Sequence, residues 1–274
     1  MKLSVSNISL PPLKHKAYLS EIRDLGVEGL EIAPSRRWKN TWHGLKAKDV
    51  QNYRQEIEGA GLTVCGLHSL FFDQPDLSIF GNRRTRERTQ SFLIHLSQIC
   101  RDLGGKTLIF GSPSARNRDQ MSEIEAFNIA AEFLTELCLK IKPHETVLCM
   151  ESLPKADTNF LNSVIENLRL LEVVDNNALG LHLDLRAMVS NNEVNNHLIS
   201  KIVPLLCHVH INSSNLGVFQ PEDRLNCKQL LDLLHANFYT GMVSLEQKMV
   251  RSDNIIKPIQ KSVSFIKEII SKHG

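Results

Sequence analysis

Short apolar runs alternate along the chain with longer amphipathic stretches. The apolar runs are rich in the aliphatic and β-branched residues that are typical of buried strands. They occupy residues 3–5, 29–32, 62–67, 106–110, 146–150, 179–183, 206–211 and 242–245. The stretches between them have helical periodicity, most clearly at residues 18–25, 91–100, 129–137 and 230–235. This alternation predicts repeated strand–helix units whose strands form a parallel sheet.

The number of units and the length of the chain together indicate the architecture. Eight units in 274 residues match a single-domain (β/α)8 TIM barrel of the α/β class better than an open doubly wound sheet. Several predicted helices end at a glycine just before a strand, which suits a left-handed helix end: Gly26, Gly61, Gly104 and Gly105. We therefore predict one barrel domain over residues 1–274, with long active-site loops at residues 72–85 and 212–225.

Composition and charge narrow the range of functions. Hydrophobic residues make up 42% and charged residues 23%, which is typical of a folded globular protein. The net charge is only +2, whereas a nucleic-acid binder needs a basic excess. The first seven residues lack the long apolar stretch of a secretory signal and no apolar run is long enough to cross a bilayer, so we expect neither feature. Six cysteines without a C-x-x-C pair indicate reduced thiols, so we expect a cytoplasmic protein without nucleic-acid or membrane partners.

Four ionisable residues close consecutive predicted strands. Glu151 and Asp184 follow the fifth and sixth runs, His210 lies near the end of the seventh, and Glu246 follows the eighth. In a parallel barrel these positions meet at the C-terminal face, where functional residues lie. Three carboxylates would repel one another there unless a cation supplied the compensating charge. The sequence therefore predicts one divalent metal ion, and the mixed ligand set leaves Mn²⁺, Mg²⁺, Co²⁺ and Zn²⁺ open.

Two further histidines share strand faces with these ligands. His208 lies two residues before His210, and His182 lies two residues before Asp184, so each points to the same side as the ligand that follows it. Because both lie deeper in their strands, we interpret them as hydrogen-bonded residues of the barrel interior rather than as ligands.

These motifs resemble the xylose isomerase-like TIM barrels, which include ketose 3-epimerases, inosose dehydratases and endonuclease IV. The resemblance covers essentially the whole chain and rests on Gly-Leu-Glu-Ile at 29–32, Gly-Leu-His-Ser at 66–69, Phe-Gly-Ser-Pro at 110–113, and the segments around Glu151, Asp184, His210 and Glu246. In the ketose epimerases the corresponding strand ends carry a Glu/Asp/His/Glu metal site, which the resemblance places at Glu151, Asp184, His210 and Glu246. The two glutamates there act as acid and base on opposite faces of the substrate.

The chain departs from the epimerase pattern at three positions near the substrate. Ala187 stands where these enzymes usually have a histidine, Leu216 where they often have an arginine, and Asp157 where they have a glutamate. The metal ligands are therefore kept, whereas the residues that contact the sugar differ. The loop at residues 110–118 resembles a subgroup known only as sugar phosphate isomerase/epimerase.

The predicted site suits removal of a proton from a carbon next to a carbonyl. The metal ion would stabilise the resulting enediolate as a Lewis acid, and Glu151 and Glu246 would move the proton. Return by the same glutamate gives isomerisation, return by the opposite one gives epimerisation, and loss of a β-hydroxyl gives dehydration. We therefore expect a metal-dependent isomerase or epimerase of a sugar or sugar phosphate, with a dehydratase as the alternative. The oligomeric state stays open, a homo-oligomer included.

Further residues are candidates for contacts with the substrate because they close or follow predicted strands. They are His68, Glu31, Trp38, Ser112, Arg116, Arg118, Lys155, Arg186, His208 and Lys248. Among them, Arg116 and Arg118 are candidates to hold a phosphate or carboxylate in bidentate fashion, although arginines in surface loops are common. The basic run at residues 83–88 is expected to open a solvated helix, with steering of an anionic substrate as the alternative.

Two other functions compete with this prediction. A phosphodiesterase like endonuclease IV would need a cluster of several zinc ions, and the chain has no histidine at the end of the fourth predicted strand. A non-catalytic sugar-binding barrel would need no metal ligands, so the presence of four candidates argues against it.

Overall fold

The strands of the barrel are apolar segments that are buried along most of their length, as in a parallel sheet covered by helices. A computed structural model describes residues 1–272, so that residues 273 and 274 of the predicted domain, 1–274, lie outside the described part. The strands are β1 (Lys2–Ser6), β2 (Gly29–Ile32), β3 (Thr63–Leu67), β4 (Thr107–Phe110), β5 (Val147–Glu151), β6 (Leu179–Asp184), β7 (Leu206–Ile211) and β8 (Met242–Leu245). They pair in chain order and β8 pairs with β1, which confirms the predicted closed (β/α)8 barrel.

Within residues 1–272, ten α-helices surround the barrel. They are α1 (Leu19–Asp24), α2 (Pro34–Arg37), α3 (Ala47–Gly59), α4 (Arg83–Asp102), α5 (Glu123–Ile141), α6 (Val164–Val174), α7 (Leu185–Ser190), α8 (Asn196–Ile202), α9 (Pro221–Ala236) and α10 (Ile256–Ser271). Short 3₁₀ helices lie at Asn7–Ser9, His15–Tyr18, Ser114–Arg116, Lys142–His144 and Val203–Leu205. The long helices bury one apolar stripe against the sheet. In α5 this stripe includes Ala130, Leu134, Leu137 and Ile141, at the spacing of three and four that one helix face requires.

The two predicted active-site loops are shorter than the sequence suggested. The stretch 72–85 ends in helix, because the side chain of Asn82 caps α4, which begins at Arg83. The stretch 212–225 also ends in helix, because α9 begins at Pro221, whose restricted φ suits the first helical position.

Other local signals agree with the structure. Gly26, Gly61 and Gly104 have φ angles of 78°, 77° and 87°, so they are left-handed residues after helices, as expected. The basic run at 83–88 forms the exposed first turns of α4.

All six cysteines are free thiols, and only Cys65 and Cys207 are partly exposed. No helix in the described part of the chain combines the length and the apolar character that a membrane span requires.

Candidate functional site

The carboxyl ends of β5 to β8 bring the four predicted metal ligands to one end of the barrel. Glu151 and Asp184 are the last residues of β5 and β6, His210 is the penultimate residue of β7, and Glu246 directly follows β8. Asp184 and His210 are register partners across β6 and β7. The parallel barrel therefore places side by side groups that are far apart in the chain.

Glu31, at the end of β2, fixes the orientation of His210. Nε2 of His210 donates to both carboxylate oxygens of Glu31, at 3.0 and 2.9 Å, and Oγ of Ser244 donates to Oε2 of the same carboxylate at 2.8 Å. Because Nε2 carries the donated proton, the neutral ring has its lone pair on Nδ1. A buried carboxylate in this position orients an imidazole ligand in metal sites. Glu31 is itself fully buried, so it supports His210 from within the barrel.

The Nδ1 atom of His210 is buried and has no hydrogen-bond partner. Oε1 of Glu151 and Oε2 of Glu246 each lie 3.7 Å from it. These distances are too long for hydrogen bonds, and a lone pair that faces two carboxylates is repelled by them. Two ligands that bind one ion at about 2.1 Å can be up to about 4.2 Å apart, so both separations are compatible with a shared cation.

Asp184 completes the group. Ligand atoms of Glu151, Asp184 and His210 all lie within 4.8 Å of one another. The oxygen and nitrogen donors of these residues, with Glu246 beside them, suit a hard or borderline divalent ion. The residues present therefore fit the metal ion that the sequence predicts.

The acidities of these groups reflect their crowding. Burial, together with the neighbouring Glu151 and Glu246, raises the pKa of Asp184 to about 7. Burial would also raise the pKa of Glu246, but His210 and His68 lower it to about 2. Burial disfavours the protonated ring of His210, yet Glu31 and Glu246 raise the pKa of His210 well above its ordinary value. The carboxylates thus create a strongly negative potential in the site, which a bound proton or metal ion can neutralise.

Asn212 is a residue of this site that the sequence analysis missed. Its Nδ2 group donates to Oδ2 of Asp184 at 2.6 Å and to Oε2 of Glu246 at 3.0 Å. Its Oδ1 atom accepts the backbone N–H of Arg186 at 3.0 Å. An amide donor between two carboxylates reduces their repulsion and holds both in place. The one available signal was its position two residues after His210, on the same side of the chain but just beyond β7.

The four predicted ligands line a cavity of about 170 Å³. Three of the predicted substrate contacts, His68, Ser112 and Arg186, also line it. Arg186 forms an ion pair with Asp157, another lining residue. Nδ1 of His68 lies 3.5 Å from Oε1 of Glu246.

Part of the cavity lining is apolar. Pro113, Leu153 and Leu216 line it together with the polar residues. Leu216 is one of the three positions at which the chain departs from the epimerase pattern, and Asp157 is another. These two departures from the epimerase pattern therefore lie where a substrate would be contacted. The third position, Ala187, is buried in the first turn of α7.

Seven of the predicted substrate contacts do not line this cavity. They are Glu31, Trp38, Arg116, Arg118, Lys155, His208 and Lys248. Trp38 packs edge-on against Tyr53, with ring centroids 5.6 Å apart. Lys155 and Lys248 are exposed to solvent. For Lys155 and Lys248, proximity in sequence to a ligand therefore did not place the side chain in the cavity.

The two arginines of the loop after β4 are engaged within the protein. Arg116 is completely buried, and its Nη1 group donates to the backbone oxygen of Glu151 at 2.7 Å. Arg118 donates to the backbone oxygens of Asn159 and Met121. Arg116 thus supports the end of β5, Arg118 holds its own loop, and neither guanidinium group is placed to bind a phosphate in the cavity.

His182 and His208 lie in the barrel interior, as expected. Neither is hydrogen-bonded, however, because all four of their ring nitrogens are buried without a partner. The expectation of hydrogen bonds was therefore wrong, since the nearby carboxylates of Glu151 and Glu31 lie 3.8 Å from His182 and 3.7 Å from His208, too far for hydrogen bonds. Burial lowers the pKa of His208 to about 4, and burial with His210 and His208 nearby lowers the pKa of His182 well below its ordinary value.

Comparison with known proteins identifies relatives of this fold. The model of the xylose isomerase-like TIM barrel family matches residues 19–269. No curated protein matches the chain. Among solved structures, an L-ribulose 3-epimerase has a TM-score of 0.80 at 18% identity, with 100% of this chain and 94% of the other covered.

Two further solved structures are similar over nearly their whole lengths. D-psicose 3-epimerase from Clostridium cellulolyticum H10, in complex with D-tagatose, has a TM-score of 0.78 at 15% identity, with 100% of this chain and 98% of the other covered. The IolI protein with a bound zinc atom has a TM-score of 0.71 at 15% identity, with the same coverage. At sequence identities of 15% and 18%, these similarities show a shared fold alone.

The raised pKa of Asp184 predicts a pH-dependent stability of the metal-free protein. Because the folded state holds this proton up to about pH 7, whereas the ordinary pKa is 3.8, the contribution of Asp184 to stability is present at low pH and is lost as the pH rises to 7. In EDTA, the free energy of unfolding of the wild type should fall relative to that of Asp184→Asn, by up to about 1.4 kcal/mol per pH unit. Denaturant titrations at pH 5, 6, 7 and 8 measure the difference. A difference that is constant with pH would contradict the assignment.

Gly111, the first residue after β4, leaves room for the carboxylate of Glu151. A Cβ atom at this position would lie 1.9 Å from Oε2 of Glu151. Because the obstacle is the end of a flexible side chain, we expect Gly111→Ala to fold but to displace this carboxylate. The affinity for Mn²⁺, measured by calorimetry, should fall by about 10–100-fold, as is typical when the support of a metal ligand is lost.

Gly59→Ala is the matched control, because a Cβ atom there meets no atom within 4 Å. It should bind Mn²⁺ as tightly as the wild type. An unchanged affinity in Gly111→Ala would count against Glu151 as a ligand.

Proposed function

The chain belongs to the xylose isomerase-like TIM barrel family, and within that family we propose that it is a divalent-metal-dependent isomerase or epimerase of a small sugar. The observation that carries the proposal is the unpartnered Nδ1 atom of His210, which faces the carboxylates of Glu151 and Glu246 at 3.7 Å. The negative charge that faces this atom favours a bound cation, and the cavity beside it is large enough for a small ligand. Similarity in fold to two ketose 3-epimerases supports the choice of substrate class.

The proposed ligands are Glu151, Asp184, His210 and Glu246, and the donor set leaves Mn²⁺, Mg²⁺, Co²⁺ and Zn²⁺ open. When bound, such an ion supplies Lewis-acid polarisation of a substrate carbonyl, which makes the proton on the adjacent carbon more acidic. Glu31 holds the imidazole of His210 in the tautomer that such a site needs. Asn212 holds the carboxylates of Asp184 and Glu246 together.

Glu151 and Glu246 are the proposed acid/base groups. Both line the cavity, and the carboxylate of Glu246, whose pKa is lowered to about 2, is ionised at neutral pH. In isomerisation the glutamate that takes the proton returns it to the neighbouring carbonyl carbon, while the proton of the hydroxyl group on the first carbon moves to the former carbonyl oxygen. In epimerisation the other glutamate delivers a proton to the opposite face of the same carbon.

Substrate contacts are proposed for the remaining lining residues. His68 and Ser112 offer hydrogen bonds to hydroxyl groups, and Arg186 offers a donor that its ion pair with Asp157 holds at the wall. Leu153 and Leu216 form the apolar part of the wall. With Arg116 and Arg118 engaged elsewhere, phosphate recognition has little support in the loop after β4, which favours an uncharged sugar over a sugar phosphate.

Exchange of substrate hydrogen with solvent deuterium tests the proposal. Metal-loaded protein is incubated in D₂O with a panel of ketoses, aldoses and their phosphates, and products are followed by NMR. We expect deuterium at a carbon beside the carbonyl of at least one sugar, because proton removal there is the step that isomerisation, epimerisation and dehydration share. The product then identifies which of the three reactions follows.

Glu246→Gln should abolish this exchange while the protein stays folded. Glu172→Gln, at an exposed position on α6, is the matched control and should keep it. Exchange that persists in Glu246→Gln at the wild-type rate would refute the role of Glu246. Absence of exchange with every sugar, in protein that binds the metal ion, would refute the proposed reaction class.

A further inference from the structure

One carboxylate of the cavity is not among the proposed metal ligands. Four carboxylates line the cavity, and three of them, Glu151, Asp184 and Glu246, are the proposed ligands. The fourth is Asp157, which lies in the loop between β5 and α6. It accepts a hydrogen bond from Nη2 of Arg186, another lining residue. This ion pair therefore carries charge that the proposed metal site does not use.

The backbone of Arg186 is anchored beside the proposed ligands. Its N–H group donates to Oδ1 of Asn212 at 3.0 Å, and Nδ2 of Asn212 donates to the carboxylate of Asp184 at 2.6 Å. Asp184 also caps α7, and Arg186 lies in the first turn of this helix. The side chain of Arg186 reaches from there to Asp157 in the loop after β5. The ion pair therefore lies at the wall of the cavity, next to the metal site.

Both side chains of the ion pair can still bind a ligand. The side chain of Arg186 is 31% exposed and that of Asp157 is 29% exposed. In the described part of the chain they share a single hydrogen bond, from Nη2 to Oδ2. A guanidinium group has five N–H donors, and a carboxylate has about four lone-pair positions. A ligand at this wall therefore meets a donor and an acceptor side by side.

Neighbouring hydroxyl groups suit this pair better than an anion does. A hydroxyl group both donates and accepts hydrogen bonds, so two hydroxyls of a sugar can accept from Arg186 and donate to Asp157. An ionised carboxylate or a phosphate dianion can accept from Arg186, but it has no proton for Asp157. Its negative charge is also repelled by the carboxylate of Asp157.

The charge of the whole cavity acts in the same direction. Among the described residues that line the cavity, Arg186 is the only arginine or lysine, against four carboxylates. With neutral imidazoles, a bound divalent ion and Arg186 together compensate three of these four negative charges. The excess that remains disfavours an anionic substrate, and it is removed if Asp157 is made neutral.

We propose that Asp157 sets the charge preference of the cavity. By pairing with Arg186, it favours a neutral sugar with adjacent hydroxyl groups and disfavours a sugar acid or a sugar phosphate. The proposal deepens the proposed function, on which it rests for the choice of a sugar as ligand. Replacement of Asp157 by a neutral side chain should leave the guanidinium group of Arg186 free to bind an anion.

Binding of matched neutral and anionic probes tests this inference without turnover. The probes are the alditols ribitol, xylitol and arabinitol and the corresponding aldonates, in which a carboxylate replaces one terminal CH₂OH group. Calorimetry measures their affinities for the Mn²⁺-loaded protein, and the stereoisomer that the wild type binds most tightly as the alditol is compared in all variants. Binding of the carboxylate to the ion itself is common to all variants, so it cancels in the comparison.

Two single variants should shift the preference in opposite directions. In Asp157→Asn the affinity for the aldonate, relative to that for the alditol, should rise by about 10-fold or more, as expected for a new hydrogen bond between charged groups. In Arg186→Gln the same ratio should fall below that of the wild type, because the carboxylate of Asp157 is left unpaired. A merely structural role of the ion pair would shift both ratios in the same direction or leave them unchanged.

Two controls accompany these variants. Asp157→Asn/Arg186→Gln should lose the gain in affinity for the aldonate, since no guanidinium group remains. Asp24→Asn, which removes a carboxylate at the exposed end of α1, should keep the wild-type ratio. Circular dichroism and the manganese content check that each variant is folded and loaded.

The inference would be overturned by an unchanged ratio in Asp157→Asn, by a gain that persists in the double variant, or by a wild type that binds none of the alditols. If Asp157→Asn does not fold, Arg186→Gln still decides, because a ratio equal to or above that of the wild type would also overturn the inference. Failure of deuterium exchange would refute the reaction class, whereas these outcomes concern the charge preference alone.

Discussion

The site depends on one electrostatic constraint, the excess of negative charge around Nδ1 of His210. Nε2 of His210 donates its proton to the carboxylate of Glu31, so in the neutral ring the lone pair on Nδ1 faces Glu151 and Glu246. In a buried setting such an arrangement is unfavourable without a cation, because little solvent screens the charges. The crowding of carboxylates also raises the pKa of Asp184, whereas His210 and His68 lower the pKa of Glu246.

The barrel makes this constraint mechanically stable. Each of the four groups at the cavity comes from a different strand, and the strands are held by neighbours on both sides. Small and buried residues then refine the positions: Gly111 leaves space for Glu151, and Asn212 ties Asp184 to Glu246. The rigid floor contrasts with the wall of the cavity, where Asp157, Leu216 and Arg186 come from loops and helix ends. Strand ends that position functional groups, combined with loops that vary, are how one barrel fold serves different substrates.

Much of the fold could be predicted from the sequence, because buried parallel strands leave a strong local signal of short apolar runs. The same logic brought Glu151, Asp184, His210 and Glu246 together, since the ends of parallel strands meet. It failed where an interaction is set by packing between distant residues. The sequence suggests that Arg116 is an arginine of a surface loop, yet its side chain is fully buried and donates to the backbone oxygen of Glu151. The sequence analysis placed Glu31 among the substrate contacts. Its hydrogen bond to His210 becomes visible only when the barrel closes and brings β2 near β7. Asn212 carries no charge to draw attention, although it contacts two carboxylates.

Anomalous diffraction from crystals grown with Mn²⁺ is the most direct test of the central claim. The account predicts an anomalous peak within bonding distance of Nδ1 of His210 and of the carboxylates of Glu151, Asp184 and Glu246, with Nε2 of His210 still bonded to Glu31. Crystals in which Mn²⁺ is absent from this position, with Nδ1 of His210 instead protonated and hydrogen-bonded to Glu151 or Glu246, would contradict it.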